Sequence, residues 1–191
     1  MDPLILASNS PRRRELLARV GIPFEAEAAD VDEGCGLSPA AAVEALSRRK
    51  ALAVAGHRPG RYVLGADTLV ALGEEAMGKP KDPEEARAML RRLSGRTHQV
   101  YTGVTVVSPE GGVFSAADRS DVTFCDLSEA EIDAYVASGE PMDKAGSYAI
   151  QGRASLWITH LDGSDTSVIG LPLYLVRRLL IEAGYPLTAD L

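Results

Sequence analysis

The chain has 191 residues, 46% of them hydrophobic, enough for one domain spanning residues 1–191 with a real core. Its net charge is 20 − 27 = −7, which argues against a general nucleic-acid binder, because that function needs a broad basic surface. The three histidines (His57, His98, His160) are scattered and form no zinc pattern, so a metal here is expected to be a hard, oxygen-bound ion such as Mg²⁺ or Mn²⁺. Cys35 and Cys125 lie far apart without CxxC spacing and read as free thiols in a reducing compartment. The apolar start, Leu4 to Ala7, is too short for a membrane span and has no preceding basic run. The expected location is the cytoplasm, with no membrane partner.

In chain order, Leu4 to Ala7 reads as a short strand running into Ser8-Asn9-Ser10-Pro11-Arg12-Arg13-Arg14. Ser10 is the expected N-cap of a helix, Pro11 its first residue and Leu16-Leu17 the start of its buried face. Ser38-Pro39 opens a second helix to about Ala55, with Arg48, Arg49 and Lys50 on its polar face. Tyr62 to Ala66 reads as a buried strand ending in Asp67-Thr68, with Leu69 to Leu72 continuing past a bend and Gly73 beginning a turn. Asp82-Pro83-Glu84-Glu85 starts a third helix that stops at Ser94-Gly95. Val100 to Val107 and Ser115 to Leu127 hold strands. Ser128 to Glu131 is a capping box for a helix reaching Ser138-Gly139. Ser147 to Ile150 and Ser155 to His160 read as strands, and a last helix runs from near Leu171-Pro172 to Gly184. No repeat or long linker interrupts this order, and the mixture predicts an α/β sheet protein.

Three arginines at the start of a helix sit at the wrong end for cations, each costing about 0.3–1 kcal/mol against the helix dipole if exposed. A bound anion reverses that cost, so amides, serine hydroxyls and guanidinium forks together suit a phosphate seat; the segment equally suits a solvated arginine cluster. Asp67, at the expected carboxyl end of a strand, is placed to hold a metal or to take a proton from water, or simply to cap a turn. Lys79 and Lys81 flank Pro80 and suit either phosphate oxygens or an exposed basic turn. Asp143-Lys144 leads to Tyr148-Ala149-Ile150-Gln151-Gly152, where Gln151 can offer donor and acceptor to a planar base edge. Asp30-Val31-Asp32-Glu33 adds carboxylates that either complete a metal site or stay solvated.

Taken together, these stretches resemble the Maf family of nucleoside triphosphate pyrophosphatases. The matching segments are SNSPRRRELL (8–17), VDE (31–33), RKA (49–51), GADTLV (65–70), GKPKDPEEARAMLRRLSG (78–95), HQVYTGV (98–104), DKAGSYAIQG (143–152) and VIGLPL (168–173). The series covers essentially the whole chain in order. The resemblance implies hydrolysis of a nucleoside triphosphate between the α- and β-phosphates, with a divalent metal cofactor. It implies a mixed, twisted sheet in two lobes, like that of inosine triphosphatases, with helices around it and a central nucleotide-binding groove. It casts Asp67 as proton acceptor, metal ligand or both, and Glu33 as the second metal ligand. Ser8, Arg13, Lys50 and Lys79 match positions facing the triphosphate. Arg12, Thr68 and Gln151 match the branch acting on dTTP and UTP; a second branch prefers 7-methyl-GTP and carries a glutamate near the position of Gln151. The implied assembly is a homodimer, although no seam stands out in the sequence. The implied purpose is removal of non-standard or modified pyrimidine nucleotides before polymerases use them. Two other readings remain: a 7-methyl-GTP pyrophosphatase, and a non-catalytic nucleotide-binding regulator of septum formation.

Overall fold

Chain-local signals set most of the helices. In the computed structural model, which describes residues 2–34 and 36–187, helix α1 (Pro11–Arg19) begins at the Ser10-Pro11 step and α2 (Pro39–Ala55) at Ser38-Pro39. Helix α3 (Pro83–Leu93) is capped by the Asp82 carboxylate, which accepts from the Glu85 amide at 2.8 Å. Helix α4 (Glu129–Ala137) has the full reciprocal capping box between Ser128 and Glu131. A short α5 (Asp165–Ile169) precedes α6 (Leu173–Glu182), which buries Leu175, Val176, Leu179 and Leu180. Among the described residues, no helix is long and apolar enough to cross a membrane.

The strands are β1 (Leu4–Leu6), β2 (Phe24–Ala26), β3 (Val63–Leu72), β4 (Glu75–Met77), β5 (Thr97–Val107), β6 (Val113–Phe124) and β7 (Ile158–Asp162). They form one seven-stranded mixed sheet in the order β2-β1-β3-β5-β6-β7, with β4 also paired to β3. Strand β1 is parallel to β2 and β3, whereas β3–β4 and β6–β7 are antiparallel. The fold is thus the expected mixed α/β sheet.

The chain forms two compact units. The first comprises Met1–Asp67, Thr102–Asp118 and Gly170–Leu191; the second comprises Thr68–Tyr101 and Arg119–Ile169. In the first, Ile5, Ala7, Ala51, Val54, Val63 and Val107 pack together. In the second, α3 and α4 cover a core that includes Leu90, Leu93, Val122 and Ile132, and the aromatic rings of Phe124, Tyr135, Tyr148 and Trp157. Those rings meet edge to face, the geometry favoured by aromatic quadrupoles.

Three sequence expectations are corrected. Asp67 does not end a strand: β3 runs without interruption from Val63 to Leu72, and the boundary between the units falls inside it, after Asp67. The strand continues because it exchanges partners, pairing with β1 at Val63–Leu64 and with β4 at Val70–Leu72. Ser147 to Ile150 is not a strand either. Gly146 and Ser147 adopt left-handed backbone angles (φ 68° and 62°), which break an extended ladder and turn the chain tightly at Ala145–Ser147. The first half of Ser155 to His160 is likewise displaced: Arg153–Trp157 is a 3₁₀ turn, and the strand begins only at Ile158. Cys125 is a half-buried free thiol; Cys35 lies outside the described residues.

Candidate functional site

The centre of the first unit's polar cluster is Lys50. Its Nζ lies 2.6 Å from Asp67 Oδ1 and 2.7 Å from Glu33 Oε1. The Lys50 and Asp67 side chains are only 12% and 13% exposed, so this lysine is not on a solvated helix face as its position beside Arg48 and Arg49 had implied. Glu33 is the open end of the cluster, at 67% exposed.

A glycine explains the approach. Alternation along β3 puts Gly65 and Asp67 on the same face. A Cβ on Gly65 would sit 2.4 Å from the Ser47 carbonyl oxygen and 2.8 Å from the Ala51 nitrogen, so α2 rests directly on the strand. A Cβ on Gly103 of β5 would likewise sit 2.1 Å from the Val43 carbonyl oxygen. Lys50, between Ser47 and Ala51 on α2, is thereby held within reach of Asp67, two residues beyond Gly65. A chain of hydroxyls satisfies the buried contact. Ser47 Oγ donates to the Glu44 carbonyl at 2.9 Å, so Thr105 must donate to Ser47 and Ser115 to Thr105, each at 2.9 Å. In the sequence Gly65 read only as part of an apolar run; a glycine two residues before a strand acid was the signal available.

Glu33 is set by its neighbours' backbone. Arg49 Nη1 donates to the carbonyls of Asp32 and Gly34, at 3.0 and 3.1 Å, and so straddles Glu33. Asp32 caps its own loop, accepting from the Gly34 amide at 2.9 Å; of this acidic stretch Glu33 is the residue that meets Lys50. Arg49 was not named as a site residue from the sequence, where it counted as polar-face charge and as part of the RKA segment.

Arg13 is anchored from the far end of the chain. Its Nε donates to the Gly170 carbonyl at 2.8 Å and its Nη1 to Ser8 Oγ at 3.2 Å. Gly170 belongs to the VIGLPL segment, so this bond gives that segment a physical task. Ser8 is buried and its Oγ also accepts from the Ser10 amide at 3.2 Å, while the Ser10 hydroxyl makes no capping bond to α1. Burial pushes the Arg13 pKa below its usual value; Asp67 and Glu33 pull it back up, and Arg12 lowers it further. An arginine so treated stays a cation at neutral pH. Arg14 is exposed and bonded to Asn9, so the three arginines of the motif are not equivalent.

The structure therefore brings together Ser8 with Arg13, and Glu33 and Asp67 with Lys50. Arg12 is half-buried in α1. Thr68, Lys79 and Gln151 belong to the second unit, where Thr68 is half-buried and Lys79 and Gln151 are exposed. Gln151 lies in a turn, not at a strand end. Of the neighbouring charges, Lys144 is paired with Asp143 at 2.5 Å and donates to the Glu140 carbonyl at 2.6 Å, a local structural role.

Two carboxylates converging on one ammonium form an all-oxygen donor pair. Such a pair suits a Mg²⁺-like ion, which takes one or two carboxylates and completes its shell with phosphate oxygens and water. Among the described residues, no group of three or more His, Cys, Asp or Glu is placed to hold a metal.

An α/β protein with charged groups gathered around a strand carboxylate is the class that the fold and this cluster define. A HAM1 protein from Coxiella burnetii has a similar fold, with a TM-score of 0.53 over 95% of this chain and 100% of that one, at 14% identity. Two relatives are much closer in sequence. The dTTP/UTP pyrophosphatase of Myxococcus xanthus is 52% identical over 186 residues, covering 96% of this chain and 94% of the relative. That of Symbiobacterium thermophilum is 50% identical over 189 residues, covering 98% and 97%. The profile of the Maf-like protein family matches residues 3–183, and the chain belongs to the Maf family.

Proposed function

We propose that this protein hydrolyses dTTP and UTP between the α- and β-phosphates, releasing the nucleoside monophosphate and pyrophosphate. The observation that carries the reading is the pairing of one ammonium, Lys50, with both Asp67 and Glu33. The names borne by relatives about half identical over nearly the full length of both chains support the same activity.

In this reading Asp67 accepts the proton of a water whose oxygen attacks the α-phosphorus. The bond from the α-phosphorus to the bridging oxygen breaks, and that oxygen leaves with the pyrophosphate. Negative charge grows on the leaving group, and Arg13, Lys50 and the Ser8 hydroxyl are the groups of the first unit suited to stabilise it. Fixing Arg13 through Gly170 and Ser8 lowers the reorganisation this requires. Glu33 and Asp67 are the residues that would hold a divalent cation, Mg²⁺ or Mn²⁺, which supplies charge neutralisation on the phosphate oxygens. Arg12 and Lys79 enter as further substrate cations on their sequence motifs. Thr68 and Gln151 enter as readers of the base, Gln151 through an amide that matches the neutral O and N–H edge of thymine or uracil.

The test is a nucleotide panel with Mg²⁺ or Mn²⁺, reading pyrophosphate against orthophosphate, with Asp67→Asn as blank. Pyrophosphate from dTTP and UTP, absent in the blank, is the expected result. Orthophosphate alone would place attack at the terminal phosphate and refute the mechanism. Cleavage of 7-methyl-GTP at least tenfold more efficient than of both pyrimidines would refute the base assignment. Tight binding without turnover under every metal would establish a regulator instead.

A further inference from the structure

The segment carrying Gln151 is held at both ends by one pair of side chains. The Gly152 amide donates to the Ala149 carbonyl at 3.1 Å, which closes a turn with Ile150 and Gln151 at its centre. At the entry, the Ala149 amide donates to the Tyr135 hydroxyl at 3.2 Å. At the exit, the Arg153 amide donates to Glu140 Oε1 at 3.1 Å. The two anchors are themselves joined, the Tyr135 hydroxyl donating to the same Glu140 Oε1 at 3.0 Å. Tyr135 is buried at the end of α4, its ring edge to face with Trp157 at 4.9 Å, so the clamp is rooted in the aromatic core. A Cβ on Gly152 would fall 1.8 Å from Glu140 Oε1, so a larger residue there would push the carboxylate out of its place in the clamp.

We propose that Tyr135 and Glu140 are positioning residues for base selection: they hold the Ala149–Arg153 turn so that Gln151 is presented in one orientation. The proposal rests on the reading of Gln151 as the base reader. Neither residue touches the nucleotide in this scheme. Each acts by removing freedom that an exposed turn would otherwise lose on binding. A glutamine reads a base edge only if its amide plane is fixed, and two backbone anchors flanking it at −2 and +2 fix its Cα frame.

The experiment uses the full chain with Tyr135→Phe, Glu140→Ala and Glu140→Gln beside Gln151→Ala. Two readouts are taken: amide hydrogen exchange across residues 149–153, and kcat and KM for UTP and 7-methyl-GTP. Tyr135→Phe and Glu140→Ala are expected to speed exchange at Ala149 and Arg153 by about tenfold or more, the scale of a lost hydrogen bond to a charged or buried partner. They should raise KM for UTP about tenfold with kcat within about twofold, and lower the preference for UTP toward that of Gln151→Ala. Glu140→Gln keeps an acceptor oxygen and should restore most of both. Adding Glu140→Ala to Gln151→Ala should cost no further selectivity. If Gln151→Ala loses the preference and Glu140→Ala keeps it, the positioning role is overturned while the base reading stands. Native exchange rates at Ala149 and Arg153 in both clamp variants would overturn the clamp whatever the kinetics. If Gln151→Ala keeps the preference, the base reading fails and the positioning role with it, and the exchange rates then report separately that the turn is or is not held. Tyr135→Phe keeps the buried ring, so the test survives if Glu140→Ala does not fold.

Discussion

The two compact units hold their polar groups by different means. In the first, half-buried cations are held in place: Lys50 by the carboxylates of Asp67 and Glu33, and Arg13 by the Gly170 carbonyl and the Ser8 hydroxyl. That arrangement needs close packing, because a buried charge that loses its partner is expensive, and the glycines of β3 and β5 let α2 settle onto the sheet. In the second, an exposed turn is tied by neutral donors and one carboxylate to an aromatic core, with Tyr135 and Tyr148 as the polar tips of that core. Under the proposed function the charged cluster acts on the triphosphate and the held turn on the base, so rate and selectivity should be separable by mutation.

The largest effect is expected from Asp67→Asn. It keeps the side chain's shape and leaves Glu33 paired with Lys50, so the variant should fold, with a thermal midpoint lowered by loss of the Lys50–Asp67 charge pair, while turnover falls by about 10²–10⁴-fold, the usual worth of a general base. A folded variant with near-normal pyrophosphate release would remove Asp67 from the chemistry and dissolve the contrast between the units.

Acid should strike the second unit. His98 is fully buried, with Nε2 2.8 Å from the Tyr148 hydroxyl and its ring edge to face with Phe124. Burial pushes its pKa from 6.5 down to about 4, against a smaller opposing pull from Asp121. The unfolded chain therefore binds the proton more readily than the folded one between these values. This contribution to stability is intact above pH 6.5, falls as pH falls through that window, and is fully lost below about 4, a change of about 3 kcal/mol at 1.36 kcal/mol per unit. Denaturant unfolding at stepwise pH, for the parent and for His98→Gln, measures it. An equal slope in both between pH 6.5 and 5 would show that His98 is not the group responsible.

Gly65→Ala tests the packing that the first unit depends on. The new methyl collides with the backbone of α2, and overpacking of this kind costs about 1–3 kcal/mol. Stability and turnover should fall together, because displacing α2 also draws Lys50 from Asp67. Loss of stability with native turnover would show that the Lys50–Asp67 contact tolerates slack.

The smallest effect belongs to the exposed turn. Gln151→Glu should weaken dTTP turnover by about 1–3 kcal/mol, the scale of a misplaced hydrogen bond, and leave stability unchanged. Unchanged kinetics would take Gln151 out of base recognition and leave Thr68 and Lys79 as the second unit's proposed substrate contacts.

Much of this was legible along the chain. Helices α1, α2, α3, α4 and α6 lie where their caps, prolines and stop glycines put them, since these signals act over three or four residues and need nothing distant. Strand β2, strand β4 and helix α5, of three to five residues, are too short for a periodic pattern to register. The stretch from Ala145 to Trp157 alternated plausibly as strands, but left-handed angles at Gly146 and Ser147 and the clamp through Tyr135 and Glu140 fold it into turns. Asp67 looked like a strand end because an acid followed an apolar run; β3 continues because a second partner, β4, takes up pairing beyond it.

By itself the sequence determined where the longer helices lie, the α/β class, and the set of chemically able residues, Ser8, Arg13, Lys50 and Asp67 among them. Only the tertiary structure decided which of these meet. Lys50 and Asp67 are 17 residues apart, and Arg13 and Gly170 are 157 apart. Capping and periodicity follow from the geometry of a few consecutive residues. Contacts at such separations form only when sheet pairing and close packing bring distant backbone together, and a single sequence writes that down nowhere more explicitly than in a glycine such as Gly65.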